Sequence, residues 1–383
     1  MNWPLGVLAG TPWLLPPLAA ALYGRPRPNL RDWKRLPRPQ LPTVSVILPA
    51  RNEEANIEKC LRSILASDYP EFEVIVVDDR SEDRTAAILA RIAKGDDRVV
   101  PVAGQKLPED WYGKPWACWQ GYQASEGDLL LFTDADTKHG PELLARAVAA
   151  LETERADMLT VMPVQEMPGF WERVIQPFFM LAIALRFGTL QRLNRNREPR
   201  RALANGQFIL TTRDAYQWVG GHKRVQHTVI EDMLLAREYV TAGKRILFAM
   251  ADQDMRTRMY TSLRETVNGW TKNIFIGMVE SLGSVALAYL ATLGALLLPF
   301  FFLVPSAAVA AGIALPHGGL LAFGVTGFLG CAFLVGHFLR AAKELDLWGV
   351  YHPLGAVMFA FILLRSAARG TKRIEWKGRT YTH

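Results

Sequence analysis

Three short polar clusters in the first part of the chain hold side chains with chemistry to offer. They are Pro49-Ala50-Arg51-Asn52-Glu53, Asp78-Asp79-Arg80-Ser81 and Thr133-Asp134-Ala135-Asp136. Each follows an apolar run. Asp134 and Asp136 form an Asp-x-Asp pair. Hard divalent cations such as Mg2+ and Mn2+ take oxygen ligands, commonly one or two carboxylates completed by substrate phosphates. An isolated Asp-x-Asp pair arises often by chance, and any one cluster is equally an ordinary helix cap or turn, with Ser81 and Asp83 as N-caps. Three clusters, each at the end of an apolar run, argue for a shared site.

Such a site needs a frame. Residues 44–48, 73–77, 99–102, 129–132 and 157–162 read as short buried strands. Residues 54–67, 82–94, 114–125 and 141–154 read as helices, the last entered through Pro141. This alternation predicts an open α/β, mostly parallel sheet covered on both faces. Ligands of such sheets bind beyond the carboxyl ends of the strands, where the three clusters converge.

The 383-residue chain exceeds one typical domain, and half of its residues are hydrophobic. At 21% charged residues this balance points to membrane segments. Cys60, Cys118 and Cys331 stand far apart and exclude zinc-type spacing or a disulfide framework. Residues 1–23 are apolar and uncharged, with Pro4, Pro12, Pro16 and Pro17 predicting a kinked transmembrane anchor. The linker 24–42 is basic, with Arg25, Arg27, Arg31, Lys34, Arg35 and Arg38, which places the N-terminus outside and the domain 43–282 in the cytoplasm. A transmembrane region covers 283–366, with apolar runs at 284–314, 319–339 and 350–364, and a basic cytoplasmic tail covers 367–383. Three spans after a cytoplasmic domain would leave that tail outside. Either the first run folds as a hairpin around Pro299 and Pro305, or the last segment is interfacial. Residues 170–188 read as an interfacial amphipathic helix. Arg192, Arg195, Arg197, Arg200 and Arg201 follow it, as a solvated loop or as a contact for lipid headgroups or phosphate. The net charge of +7 sits beside apolar runs rather than along a soluble face, which disfavours nucleic acid. The expected location is the cell (inner) membrane, multi-pass, with the catalytic domain facing the cytoplasm.

The runs Val46-Ile47-Leu48-Pro49-Ala50-Arg51-Asn52-Glu53, Val76-Val77-Asp78-Asp79-Arg80-Ser81-Glu82-Asp83-Arg84-Thr85 and Asp134-Ala135-Asp136 resemble family 2 glycosyltransferases of the GT-A fold. The resemblance extends to Glu231-Asp232. Trp111-Tyr112-Gly113-Lys114-Pro115-Trp116-Ala117, with Trp376-Lys377-Gly378-Arg379, is similar to a narrower group. That group contains hopene-associated and carotenoid glycosyltransferases and, more distantly, ceramide glucosyltransferases. The resemblance implies an inverting transfer from a nucleotide-sugar, UDP-linked, with divalent Mg2+ or Mn2+. It implies a lipid acceptor such as a hopanoid, carotenoid or other isoprenoid-derived lipid. Ala50 and Glu53 would line the nucleoside pocket, and Asp78 or Asp79 would accept a hydrogen bond from the base. Lys114 would approach the nucleotide. Asp134 and Asp136 would take the metal and donor-sugar positions, and Asp232 that of the catalytic base.

An inverting transfer needs one carboxylate to take the acceptor proton. Glu231-Asp232 precede a helical stretch, whose start would set them beside a positive dipole end; plain capping is the alternative. Asn205-Gly206-Gln207 line the acceptor site or form a simple turn. Glu231 and Trp270 are further candidates for the donor or acceptor pocket. His222 and His227 lack a partner at metal-ligand spacing. Trp111, Trp116 and Trp119 suit packing. Thr266-Val267-Asn268-Gly269-Trp270 stands where many relatives carry Gln-x-x-Arg-Trp, and only the tryptophan survives. That departure speaks against a processive polysaccharide synthase, the alternative activity, and makes Lys272 a candidate for the missing positive charge. A catalytically dead membrane scaffold or sugar-lipid binding module is the third reading, and the intact acidic clusters speak against it.

Overall fold

Apolar runs without alternation become central strands, because a strand covered on both faces buries every side chain. The computed structural model describes residues 2–22, 27–37, 41–371, 373–376 and 379–382. Arg25, Arg38, Lys372, Lys377 and Gly378 lie outside the described residues. The chain opens with α1 (Trp3–Gly10) and α2 (Leu15–Leu22), separated by a 3-10 turn containing Pro12. The sheet domain follows as β1 (Val44–Ala50), α3 (Ile57–Leu65), β2 (Phe72–Asp78), α4 (Thr85–Ala93), β3 (Val99–Ala103) and α5 (Gly113–Gln123). It continues through β4 (Leu129–Thr133), β5 (Thr137–His139), α6 (Leu143–Thr153) and β6 (Met158–Gln165). Helices α7 (Phe170–Phe187) and α8 (Leu190–Asn194) lead to β7 (Phe208–Thr212), α9 (Arg213–Trp218), α10 (Gly221–Arg224), α11 (Glu231–Thr241) and β8 (Ile246–Thr257).

The sheet order is β3-β2-β1-β4-β7-β6-β8-β5. The half that carries the first three clusters, β3-β2-β1-β4, is parallel throughout. Beyond it β7 runs antiparallel to both β4 and β6, and β5 runs antiparallel to β8. Alternate β1 side chains serve opposite layers, as pleating requires. Val46 and Leu48 join Ile57, Leu61 and Val148 on one face, and Ile47 joins Cys118 and Leu130 on the other.

The C-terminal part comprises α12 (Leu263–Leu282), α13 (Val285–Ala295), α14 (Leu297–Ala314), α15 (Gly318–Ala341), α16 (His352–Arg369) and a hairpin of β9 (Arg373–Trp376) with β10 (Arg379–Thr382). Three helical stretches, Val285–Ala314, Gly318–Arg340 and Asp346–Arg369, are long and apolar enough to cross a membrane. Leu290, Leu293, Leu297 and Phe300 of the first are exposed. Of the two alternatives for the span parity, a hairpin around Pro299 and Pro305 is not formed. Both prolines lie inside α14, and Leu296 keeps helical angles (φ −68°, ψ −13°). Pro299 sits in the first turn of α14, where a missing N–H is harmless, and Pro305 lies in an apolar helix packed by neighbours.

Helix α1 lies along α15 through small residues. A Cβ on Gly6 would fall 2.0 Å from the Gly319 carbonyl oxygen, and one on Gly10 would fall 2.8 Å from Thr326 Cβ. Only glycine allows this approach. Helix α7 buries Phe178 and Phe179 against the bundle and leaves Leu185 exposed.

Candidate functional site

Ala50, Asp78 and Ala103 stand in register at the carboxyl ends of β1, β2 and β3. Beyond them the loops after β1 and β2 clamp each other. Asn52 and Arg80 both adopt left-handed backbone (φ 52° and 57°), a strained state that persists where the surroundings enforce it. Asn52 N donates to Ser81 Oγ (3.0 Å), Glu53 N to Thr85 Oγ1 (2.8 Å) and Glu54 N to Asp83 Oδ2 (3.0 Å). In return Glu82 N donates to Asn52 Oδ1 (2.9 Å). These exchanges are why the helices expected from residues 54 and 82 start at Ile57 and Thr85. The intervening side chains bond across the loops instead of along a helix. Buried Arg51 donates from Nη1 to the carbonyls of Asp79 (2.7 Å) and Arg80 (2.9 Å).

Asp78 and Asp79 diverge. Asp78 Oδ1 accepts from Ser81 N (3.1 Å) and closes the turn, whereas the Asp79 side chain is buried. Gly104 packs against both, since a Cβ there would lie 2.6 Å from Asp78 O. Sequence reasoning missed Gly104; its signal is a glycine directly after the third strand.

The turn from Asp134 to Asp136 is held from behind by hydroxyls. Thr137 Oγ1 donates to Asp134 O (2.7 Å) and Thr257 Oγ1 to Asp136 O (3.3 Å). Thr133 Oγ1 donates to Gln207 O (2.8 Å), and Gln207 Nε2 reaches Thr257 Oγ1 (3.1 Å). Burial drives His139 down to about 3, so a neutral imidazole sits beside Thr133 and Thr137. These supports also escaped the sequence reading, although threonines on either side of the Asp-x-Asp pair signal them.

Lys114, in the first turn of α5, bridges the acidic groups. Its Nζ lies 2.7 Å from Asp134 Oδ1 and 2.8 Å from Glu231 Oε1. Burial opposes the ammonium charge, but Asp134 and Glu231 outweigh it and hold the lysine well above its usual value. Asp232 lies alongside, its Oδ2 accepting from Gly206 N (2.9 Å) and its Oδ1 from Met233 N (2.7 Å). Gly206 admits this packing because a Cβ would stand 3.0 Å from Lys114 Nζ and 3.1 Å from Asp232 Oδ2. Burial first, then the Glu231 charge, push the Asp232 carboxyl up to about 6; Lys114 and the two N–H donors pull the other way. A carboxylate poised there is suited to general base work near neutral pH.

A second cation approaches from α12. Ile276 packs with Tyr112 and Ile230, and Glu280 pairs with Arg237 of α11 (3.4 Å). Lys272 lies one turn earlier on the same face, which aims it at the acidic group. Burial pushes it down to about 8, with Glu231, Asp134 and Asp232 opposing and Lys114 assisting that fall.

The other candidates are placed as follows. Asn205 donates from Nδ2 to Val161 O (3.0 Å) and to Gln207 Oε1 (3.2 Å), so it shapes the turn that presents Gly206. Trp270 stacks on Phe179 at 4.3 Å and 5° in the seam between α12 and α7. Trp111 contacts Trp116 at 5.0 Å and Trp119 at 6.2 Å. His222 is buried against the Tyr216 hydroxyl (2.8 Å) and driven down to about 3. Glu53 Oε2 accepts from Asn56 Nδ2 (3.0 Å), and Ala50 is buried at the strand end.

Residues 45–220 match the model of glycosyl transferase family 2. The chain carries a family 2 glycosyltransferase domain. Two staphylococcal relatives, both 4,4'-diaponeurosporenoate glycosyltransferases, are 27% identical to it. The match to the Staphylococcus haemolyticus protein covers 61% of this chain and 62% of the relative's length. The match to the Staphylococcus aureus protein covers 88% of each. Among solved structures, the mannosyltransferase PcManGT from Pyrobaculum calidifontis, in complex with GDP-Man and Mn2+, superposes with a TM-score of 0.52 at 16% identity. That superposition covers 96% of this chain and 98% of the other, and it shows the GT-A fold. Asp232 and Lys272 lie beyond the segment matched by the family model.

This glycosyltransferase gathers no group of three or more His, Cys, Asp or Glu side chains into a metal cage among the described residues. The acidic turn offers two carboxylates, and the Asp134 side chain is 28% exposed. That donor set fits Mg2+ or Mn2+ completed by phosphate oxygens rather than an ion enclosed by protein.

Proposed function

We propose that this glycosyltransferase moves one sugar, with inversion, from a UDP-linked sugar to a lipid acceptor of isoprenoid origin. The observation that carries the reading is the grouping of Lys114, Asp134, Glu231 and Asp232 at one sheet edge. It provides a cation for a diphosphate beside a carboxylate able to take a proton. The names of the two staphylococcal relatives support a carotenoid-type acceptor. In the transfer, Asp232 takes the proton of the acceptor hydroxyl as its oxygen bonds to the anomeric carbon. The bond from that carbon to the diphosphate breaks, and its electron pair leaves on the phosphate oxygen. Lys114 and Lys272 offset the charge of the diphosphate. A divalent ion held by Asp134 and Asp136 would supply further neutralisation when bound. Ala50, Glu53 and one of Asp78 and Asp79 hold the nucleoside.

The apolar helices support a membrane setting with three crossings. Residues 3–22, 285–314 and 318–340 cross, and 352–369 lies at the interface. The turn after α15 and the far end of α16 are both tied to the catalytic side, while His352 at the start of α16 packs inside the bundle against Phe302 and Phe328. In that turn Glu344 pairs with Arg173 (2.8 Å); near the end of α16, Arg365 donates to Asn268 Oδ1 (3.0 Å). Helix α7 is tied to that side at both ends as well, through Arg173 and through Arg186, which donates to Ser281 O (3.4 Å). The tail and the catalytic domain then share the cytoplasmic side. The test is nucleotide release from a panel of nucleotide-sugars, with and without membrane lipid extract and with a chelator. Lipid-dependent release that stops on chelation, with a product one sugar heavier, is expected. A ladder of products, or full activity after chelation, overturns the corresponding part.

A further inference from the structure

The segment between α7 and β7 takes no part in the transfer chemistry. Residues 186–201 contain six arginines against one acid, Glu198. Arg201 pairs with Glu198 (2.8 Å), and the other five have no carboxylate partner among the described residues. Arg192, Arg195, Arg197 and Arg200 are exposed. Arg186 donates only to carbonyls, of Arg200 (3.3 Å) and Ser281 (3.4 Å). Burial first and then the neighbouring Arg201 lower its pKa, with Glu198 opposing them.

The segment is held in place. Phe248 N donates to Asn194 Oδ1 (2.7 Å), and Asn194 Nδ2 donates to Phe248 O (3.1 Å), pinning α8 to β8. The fixed location is telling. The Arg200 guanidinium lies against Gly283, where a Cβ would come 2.7 Å from Nη2. The next residue, Ser284, caps α13, and Val285, Leu287 and Leu290 of that helix are exposed. Exposed Leu185 directly precedes Arg186. The guanidinium groups of Arg186 and Arg200 therefore stand where an exposed apolar helix begins, and exposed Arg192, Arg195 and Arg197 belong to the same segment. A phospholipid has the complementary layout, with its acyl chains meeting the apolar helix and its phosphate meeting planar guanidinium donors.

We propose that Arg186, Arg192, Arg195, Arg197 and Arg200 form a binding surface for anionic phospholipid headgroups where α13 leaves the globular domain. The proposal rests on the membrane reading above. Its test uses the full chain in bilayers of equal phosphatidylglycerol and phosphatidylcholine, with retained lipids counted by native mass spectrometry. Each arginine at a membrane surface contributes about fivefold in preference for anionic lipid. The wild type is expected to retain phosphatidylglycerol at least fivefold over phosphatidylcholine. The R186Q/R192Q/R195Q/R197Q/R200Q variant should fall toward parity, and the R186K/R192K/R195K/R197K/R200K variant should keep most of the preference. Sugar transfer by both variants certifies their folding. Parity in the wild type, or undiminished preference in the glutamine variant, overturns the proposal. Loss of the preference on adding millimolar inorganic phosphate also overturns it, by revealing a soluble-phosphate site. Release of the wild-type chain from membranes by alkaline wash would instead defeat the membrane reading itself.

Discussion

Replacing Asp232 by Asn separates catalysis from stability in opposite directions. The carboxyl is held at about 6, so roughly nine-tenths is ionised at pH 7 and one-tenth at pH 5. If the ionised form takes the acceptor proton, kcat falls about tenfold between those pH values, with a limb centred near 6. The Asn variant cannot accept the proton and should lose about 10²- to 10⁴-fold in kcat. Stability runs the other way. A carboxyl raised from about 3.9 to about 6 is destabilised by ionisation, at up to about 3 kcal/mol. That cost is absent below the unfolded pKa and fully present above pH 6. Asn never ionises, but it loses one of the two acceptor roles toward Gly206 and Met233, at about 1 kcal/mol.

The net expectation at pH 7.5 is a variant more stable by about 1–2 kcal/mol, with no advantage remaining near pH 4. Initial rates under saturating donor and acceptor, and thermal denaturation in the same detergent across pH, provide both readouts. A second variant checks the cause. Glu231→Gln removes the like charge that raises Asp232, so the activity limb should move to lower pH. The reasoning fails if the wild-type rate shows no limb between pH 4.5 and 8. It fails equally if D232N keeps wild-type kcat, or if E231Q moves the limb upward.

Three further substitutions probe the surrounding geometry. Gly206→Ala places a methyl about 3 Å from both Lys114 and Asp232, so kcat should drop roughly ten- to hundredfold while thermal stability changes by less than about 1 kcal/mol; an unchanged kcat would refute the tight fit. Lys272→Met should raise the KM for donor by about ten- to a hundredfold and leave the acceptor KM alone, with Arg restoring the donor KM; equal effects on both substrates would remove Lys272 from the diphosphate. Trp270→Phe should be tolerated within about 1.5 kcal/mol because stacking on Phe179 remains and the buried indole N–H has no partner to lose, whereas Trp270→Ala should cost about 3–5 kcal/mol by denaturation; tolerance of both would show that the seam between α12 and α7 carries little stability.

The strand ends were legible because two independent signals coincide there. Unbroken apolar runs announce buried strands, and the polar clusters announce where they stop. The four parallel strands and the acidic turn follow from this, whereas Glu231 and Asp232, read as preceding a helix, lie inside the first turn of α11. The reversal at β7 was not legible, because a buried strand reads the same whichever way its neighbours run. The late starts of α3 and α4 were hidden for a related reason. Asn52, Ser81, Asp83 and Thr85 have ordinary capping chemistry, but here much of it is used between loops rather than within one helix. The sequence leaves a fold-back at Pro299 and Pro305 open as one alternative, and it does not form because proline in an apolar helix bends the chain more readily than it reverses it.

Helix α12 shows why the catalytic electrostatics were the hardest part to read. One of its faces carries Lys272, Ile276 and Glu280 toward α5 and α11. An adjacent face is bonded to α16, where Ser366 Oγ donates to Thr271 O (2.7 Å) and accepts from Phe275 N (3.1 Å). A third presents Trp270 to Phe179 of α7. A helix contacted on three sides has no simple amphipathic period, so spacing alone cannot say which residue faces the acids. The same three contacts give the helix its mechanical role. They link helices α7 and α16 to the side of the domain that holds Lys114, Asp134, Glu231 and Asp232. Lys272 rides on this helix, whereas Lys114 and Asp232 are carried by α5 and α11. In this arrangement the arginine absent from residue 269 is not simply lost. A cation persists three residues later, one turn from Ile276, on a helix anchored to α7, α11 and α16.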